Sequence, residues 1–119
     1  MRDFKRLTVW QKAHQMTLDV YAATALFPRD ERFGLTAQLR KSAASVPTNI
    51  AEGCGRSGER ELARFVSIAS GSASEAEYQL LVAHDLGYLP TEQYRVADAR
   101  VNEVKKMLGA LHRKLTANS

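Results

Sequence analysis

The sequence predicts an all-α protein, an antiparallel up-down-up-down four-helix bundle built as one domain over residues 1–119. Three observations carry that expectation. Apolar residues recur every three or four positions in four long segments, and no segment alternates apolar and polar residues as a half-buried strand does. The breaks between segments, FPRDER, GCGRSG and LGYLP, hold the Pro and Gly that stop helices. The links are short, and short links set sequential helices antiparallel.

The first helix is expected from Leu7 to Leu26, with Leu7, Trp10, Ala13, Thr17, Val20 and Thr24 on one stripe and Pro28 ending the segment. The second runs from Phe33 to Arg56, with Leu35, Leu39, Ala43, Val46, Ile50 and Cys54 as its apolar stripe. The third starts near Gly58, with Glu59 and Glu61 in a first turn whose dipole favours carboxylates, and stops at Gly87 and Pro90. Thr91 is expected to cap the fourth, Glu92 to Leu115, where Tyr94, Ala97, Val101, Val104, Leu108, Leu111 and Leu115 form an unbroken seam.

A chain of 119 residues that is 45% hydrophobic and 25% charged has an ordinary globular balance. It is short enough that its helices call for cover from a neighbouring subunit. No apolar run approaches the roughly 18 residues of a membrane span, and MRDFKRLTVWQKAHQ carries charge where a signal peptide needs an apolar stretch. The expectation is a cytoplasmic protein with no membrane association. A lone Cys54 excludes an internal disulfide and a cysteine-cluster zinc site, and fits a reducing compartment. The net charge is +4, yet residues 65–94 hold Glu75, Glu77, Asp85 and Glu92 with no Lys or Arg, so that region carries −4 and the remainder +8. A basic portion of that size can draw a polyanion such as RNA or DNA, and the acidic portion suits a basic protein partner; the alternative reading is that both are solvated helix faces.

The segment SVPTNIAEGCGR, Ser45 to Arg56, puts polar and helix-breaking residues inside the second helix. Pro47 has no amide hydrogen and displaces the carbonyl of Ala43, at a cost of about 3 kcal/mol unless neighbours compensate. Ser45, Thr48 and Asn49 can supply local hydrogen bonds, and Glu52 precedes Arg56 by the four residues that favour an ion pair. At about 100° per residue, Gln38, Ser42, Ser45, Asn49, Glu52 and Arg56 form one polar row. Ala44, Thr48, Ala51 and Gly55 leave the far side small, which fits a subunit interface. In the third helix Ser70, Gly71, Ser72, Ala73 and Ser74 suggest tight packing. The row reads either as an internal brace or as a ligand surface.

No catalytic set emerges. GCGRSG matches a dinucleotide-binding glycine pattern, but a helix rather than a strand precedes it. His14, His84 and His112 fall in three different helices, so neither a metal nor a cofactor is expected. Cys54 lies on the apolar stripe and reads as a buried thiol, while Glu75 and Glu77 point to different faces. For nucleic acid the candidates are Arg40, Lys41, Arg56, Arg60, Arg64, Arg100, Lys105, Lys106, Arg113 and Lys114, phosphate-type contacts with little sequence discrimination. The scattered aromatics offer no evident stacking platform.

Several motifs together resemble one family. VWQKA (9–13), FGLTAQLRKSA (33–43), NIAEG (49–53), ASGSASEAE (69–77) and HDLGYL (84–89) are similar to the four-helix-bundle proteins encoded within intervening sequences of bacterial large-subunit (23S) rRNA genes. That family is in turn similar in fold to the accessory variability proteins of diversity-generating retroelements, pentameric barrels that associate with a reverse transcriptase and nucleic acid. The resemblance implies a homopentamer with a basic, RNA- or DNA-binding surface and no enzymatic activity. On it, Asn49, Glu52 and Gly53 match the signature, Arg40 and Arg56 match flanking basic positions, and Pro47 lies just upstream. The expected function is therefore a non-catalytic oligomeric nucleic-acid-binding protein. The alternative is a protein–protein scaffold or accessory subunit of a nucleic-acid enzyme such as a reverse transcriptase. A helical ribonuclease is disfavoured, because no Arg precedes a His by the four to six intervening residues of such nucleases.

Overall fold

The computed structural model describes residues 2–117 and consists, among those residues, of four α-helices and two short 3-10 turns, without strands. The helices are α1 (Thr8–Thr24), α2 (Leu35–Gly55), α3 (Glu59–Asp85) and α4 (Thr91–Thr116). They form a rod of 46 × 22 × 20 Å. α1 packs on α2, α2 on α3, α3 on α4, and α4 back on α1, with no diagonal contact among the described residues, as in a bundle.

Each terminus has a local cause. The 3-10 turn Phe4–Arg6 is held by the Asp3 carboxylate, which accepts from the Lys5 amide at 3.1 Å. Beyond α1 the chain turns at Pro28 into Arg29–Glu31. Glu31 then caps α2 from outside the helix, accepting from the Leu35 amide at 3.2 Å and, through its other oxygen, from the Tyr88 hydroxyl at 3.0 Å. That second bond holds the Tyr88 phenol above its ordinary pKa and ties the start of α2 to the α3–α4 link. α3 ends in a Schellman motif: Gly87, at φ 80°, donates to the His84 carbonyl and Tyr88 to the Ala83 carbonyl, both at 2.9 Å. Thr91 is not the cap that the sequence suggested. It is the first residue of α4, and Pro90 precedes it in the capping position, its fixed φ suiting a helix entry.

The expected stripes face one hydrophobic core. Leu35, Leu39, Ala43, Val46, Ile50 and Cys54 of α2 and Val101, Val104, Leu108 and Leu115 of α4 are all buried. Tyr94, Ala97 and Leu111 are half-buried against them. On α1 the stripe is wider than the sequence indicated, since Val9 and Met16 join Ala13, Thr17, Val20 and Thr24. In α3 the alanines of the small-residue run, Ala69, Ala73 and Ala76, are fully enclosed, but Gly71 faces open space and is not there for packing within the chain. No helix of the described residues is long and apolar enough to cross a membrane.

Candidate nucleic-acid interface

The polar row of α2 surrounds Pro47, and its first task is to repair the helix. Without an amide on Pro47 the Ala43 carbonyl loses its helical donor. The Thr17 hydroxyl of α1 supplies one, lying 3.1 Å from that carbonyl and 2.9 Å from the carbonyl of Ala13. Asn49 donates its side-chain amide to the Ser45 carbonyl at 2.7 Å, and Ser45 donates back to Lys41 at 2.8 Å. Thr48 takes no part in this network. Ser42 likewise donates to Gln38 at 3.0 Å. The row therefore braces its own helix, and Gln38, Ser42 and Ser45 also line a cleft shared with Glu75 and Gln79 of α3.

Gly53 has a steric reason to be glycine. A Cβ there would stand 2.8 Å from Phe65 Cβ and 2.9 Å from Leu62 Cδ1, so α2 and α3 touch backbone to side chain at this point. Phe65, buried by this approach, carries two guanidinium groups on its ring: Arg56 at 5.4 Å and Arg64 at 4.5 Å from the centroid. Each is also ion-paired locally, Arg56, just beyond the end of α2, to Glu52 at 2.9 Å and Arg64 to Glu61 of α3 at 3.0 Å. The hydrogen bond from Arg64 holds the half-buried Glu61 carboxyl below its usual range. Arg2 extends the cluster, reaching Glu59 at 3.4 Å while its amide donates to the Cys54 carbonyl at 3.0 Å. Burial pushes the Cys54 thiol up, away from the thiolate that nucleophilic chemistry requires.

The remaining candidates separate into engaged and unengaged cations. Arg40 is half-buried: Nε donates to Thr24 Oγ1 at 2.7 Å, Nη2 to the Tyr21 carbonyl at 3.2 Å, and the guanidinium lies 4.6 Å from the Tyr21 ring centroid. It staples α1 to α2. Arg100 pairs with Asp19, and Lys105 with Glu77 at 2.7 Å. Lys41, Arg60, Lys106, Arg113 and Lys114 are exposed without ionic partners among the described residues. Arg6, which is not among the cations singled out from the sequence, is in the same condition beside Arg2 and Lys5. Its signal was the basic run ahead of α1. No three described His, Cys, Asp or Glu side chains come together as a metal site.

Comparison with known proteins adds the following. The sequence profile described as 23S rRNA-intervening sequence protein matches residues 5–110. No curated protein matches the chain. Among solved structures, a protein of unknown function from the S23 ribosomal protein family of Bacteroides thetaiotaomicron superimposes with a TM-score of 0.83 at 22% identity, covering 89% of this chain and 99% of that one. At that identity the likeness speaks for the fold.

Proposed function

The chain belongs to the 23S rRNA-intervening sequence protein family, and on that premise we propose that it is a non-catalytic, cytoplasmic, homo-oligomeric four-helix bundle that binds RNA through one cationic end. We take it to be one domain, antiparallel throughout, assembled as the pentamer that the retroelement resemblance implies. A single continuous core supports one domain. The antiparallel reading is supported by paired contacts that advance along one helix and retreat along the next. Lys12 meets Glu103 while Asp19 meets Arg100. Glu77 meets Lys105 while His84 stacks on Tyr94 at 4.5 Å.

The observation that carries the RNA reading is where the net charge lies in such a bundle. The end formed by residues 2–6, 52–64 and 109–117 holds eight basic residues, from Arg2 to Lys114, against Asp3, Glu52, Glu59 and Glu61. The other nine basic and nine acidic residues cancel, so the +4 of the whole chain belongs to this end. Arg6, Arg60, Arg113 and Lys114 are available there for phosphates, and clustered cations bind polyanions with a strong dependence on salt. In the acidic region, which the scaffold alternative would use, Glu77 and Glu92 are paired with Lys105 and Arg95, and Glu75 has no ionic partner among the described residues.

Binding of a structured RNA, followed by filter retention across a salt series, tests the reading. Replacing Arg113 and Lys114 by Glu should weaken binding at low salt and lower the slope of log affinity against log salt by roughly 0.7–0.9 for each phosphate that the variant no longer neutralises. Unchanged affinity and slope would remove this end from the binding surface.

A further inference from the structure

Two opposite seams of the rod differ in a complementary way: one is an exposed apolar groove bordered by an ion pair, and the other is a polar cleft holding a lysine and a glutamate without ionic partners among the described residues. The α1–α4 seam opens as an apolar groove of about 530 Å³ walled by Ala22, Ala23, Leu26, Val96 and Ala97. Leu26 is 80% exposed and Val96 51%. The Asp19–Arg100 pair also lines it, and the second Asp19 oxygen accepts from the Gln15 side chain at 3.0 Å, so a neighbour would have to share these charges. The α2–α3 seam, across the packing cycle, is a polar cleft of about 360 Å³. Lys41 and Glu75 line it, each without an ionic partner among the described residues and not paired with each other. Gln79 Oε1 is buried there with no donor among those residues, a condition that costs stability unless a partner arrives. The Ser42 and Ser45 hydroxyl hydrogens are turned back into α2 and cannot serve it. One turn before Glu75, Gly71 leaves open space on the outward face of α3.

The charges on the two seams also stand at one height. The Thr17 hydroxyl against the Ala43 carbonyl sets α1 level with α2 at that point. Two residues onward in α1 and two back in α2, about 3 Å in the same direction in antiparallel helices, lie Asp19 and Lys41. Asp19 is joined to Arg100 on α4, and Lys41 shares its cleft with Glu75 on α3. One seam thus presents a negative and a positive group, and the opposite seam a positive and a negative group at the same level.

The geometry points to a head-to-tail contact between copies of this chain: the α1–α4 groove of one copy receives the α2–α3 seam of the next, with Lys41 facing Asp19 and Glu75 facing Arg100. The inference rests on the oligomeric reading above and gives it a surface. A ring closes by rotation without translation, so a contact between unlike faces requires its complementary groups to be level.

Light scattering on purified protein, with circular dichroism to verify folding, tests the contact. Val96→Glu puts a charge into the groove at an exposed position, and Lys41→Asp reverses one partner; each should weaken assembly at least tenfold and yield folded monomer. The double variant Lys41→Asp with Asp19→Lys should regain the parent mass, because within one chain these residues lie on opposite seams and can meet only between copies. Should Asp19→Lys fail to fold, Glu75→Arg with Arg100→Glu repeats the exchange on the other pair. An oligomer whose mass ignores Val96→Glu and Lys41→Asp, or a charge exchange that restores nothing, would overturn this contact while leaving the oligomeric reading in place. A parent protein monomeric at every concentration would remove both.

Discussion

Replacing Thr17 by Val removes one hydroxyl and keeps the shape of the side chain, which makes it a sharp probe of how α2 tolerates Pro47. The Ala13 carbonyl that Thr17 also contacts keeps its helical amide donor, so its loss is small. The Ala43 carbonyl has no amide from Pro47 to fall back on and becomes a buried acceptor without a donor. Such a group costs about 1–3 kcal/mol, or a fall in melting temperature of roughly 4 °C per kcal/mol for a domain of this size. The assay is urea denaturation followed by helical ellipticity, for Thr17→Val in the parent and in a Pro47→Ala background. In the second background the substituted residue has an amide of its own to donate to the Ala43 carbonyl, and the hydroxyl becomes dispensable. The expected coupling between the two changes is about 1 kcal/mol or more. Equal cost of Thr17→Val in both backgrounds would refute the compensation.

Gly53→Ala should destabilise the fold by about 1–3 kcal/mol despite the better helix propensity of Ala, because its Cβ would overlap Phe65 and Leu62; thermal melts check this, and an unchanged or raised melting temperature would count against the close approach. Arg40→Met should lower stability by removing the bonds to Thr24 and the Tyr21 carbonyl, yet leave the affinity and salt slope of RNA binding unaltered. The hydrogen bond from Lys105 holds the Glu77 carboxyl below its ordinary value of 4.5. A depressed folded-state pKa contributes stability that is complete above the unfolded value and is lost as pH falls through the folded one, so Glu77→Gln should flatten the loss of stability below about pH 4.5. A melting temperature that falls with acid as steeply in the variant as in the parent would contradict it.

The legible and illegible parts of this protein divide along a physical line. The seam of α4 is written in local spacing, so Tyr94 through Leu115 could be assigned to the core from the sequence. The Glu52–Arg56 pair was legible for the same reason, being four residues apart on one helix. The donor that rescues Pro47 was not, because Thr17 and Ala43 are separated by 26 residues and meet only when α1 lies on α2. Arg40 looked like a phosphate contact since a sequence shows its charge but not the Thr24 hydroxyl and Tyr21 carbonyl that engage it. Gly53 belonged to a recognisable signature, yet the reason for glycine is a side chain of α3. The polar row of α2 was visible as a row; that its Gln38, Ser42 and Ser45 share a cleft with Glu75 and Gln79 of α3 depends on how the helices are arranged around the core.

The most direct measurement is the mass of the native particle by light scattering, with and without structured RNA, from low to high salt. The account predicts an oligomer of about five subunits that gains the mass of RNA at low ionic strength and releases it as salt screens the cationic end. A monomer indifferent to RNA at every salt concentration would contradict it, and would leave Asn49 as a brace beside Pro47 and Glu52–Arg56 as an exposed ion pair at the end of α2.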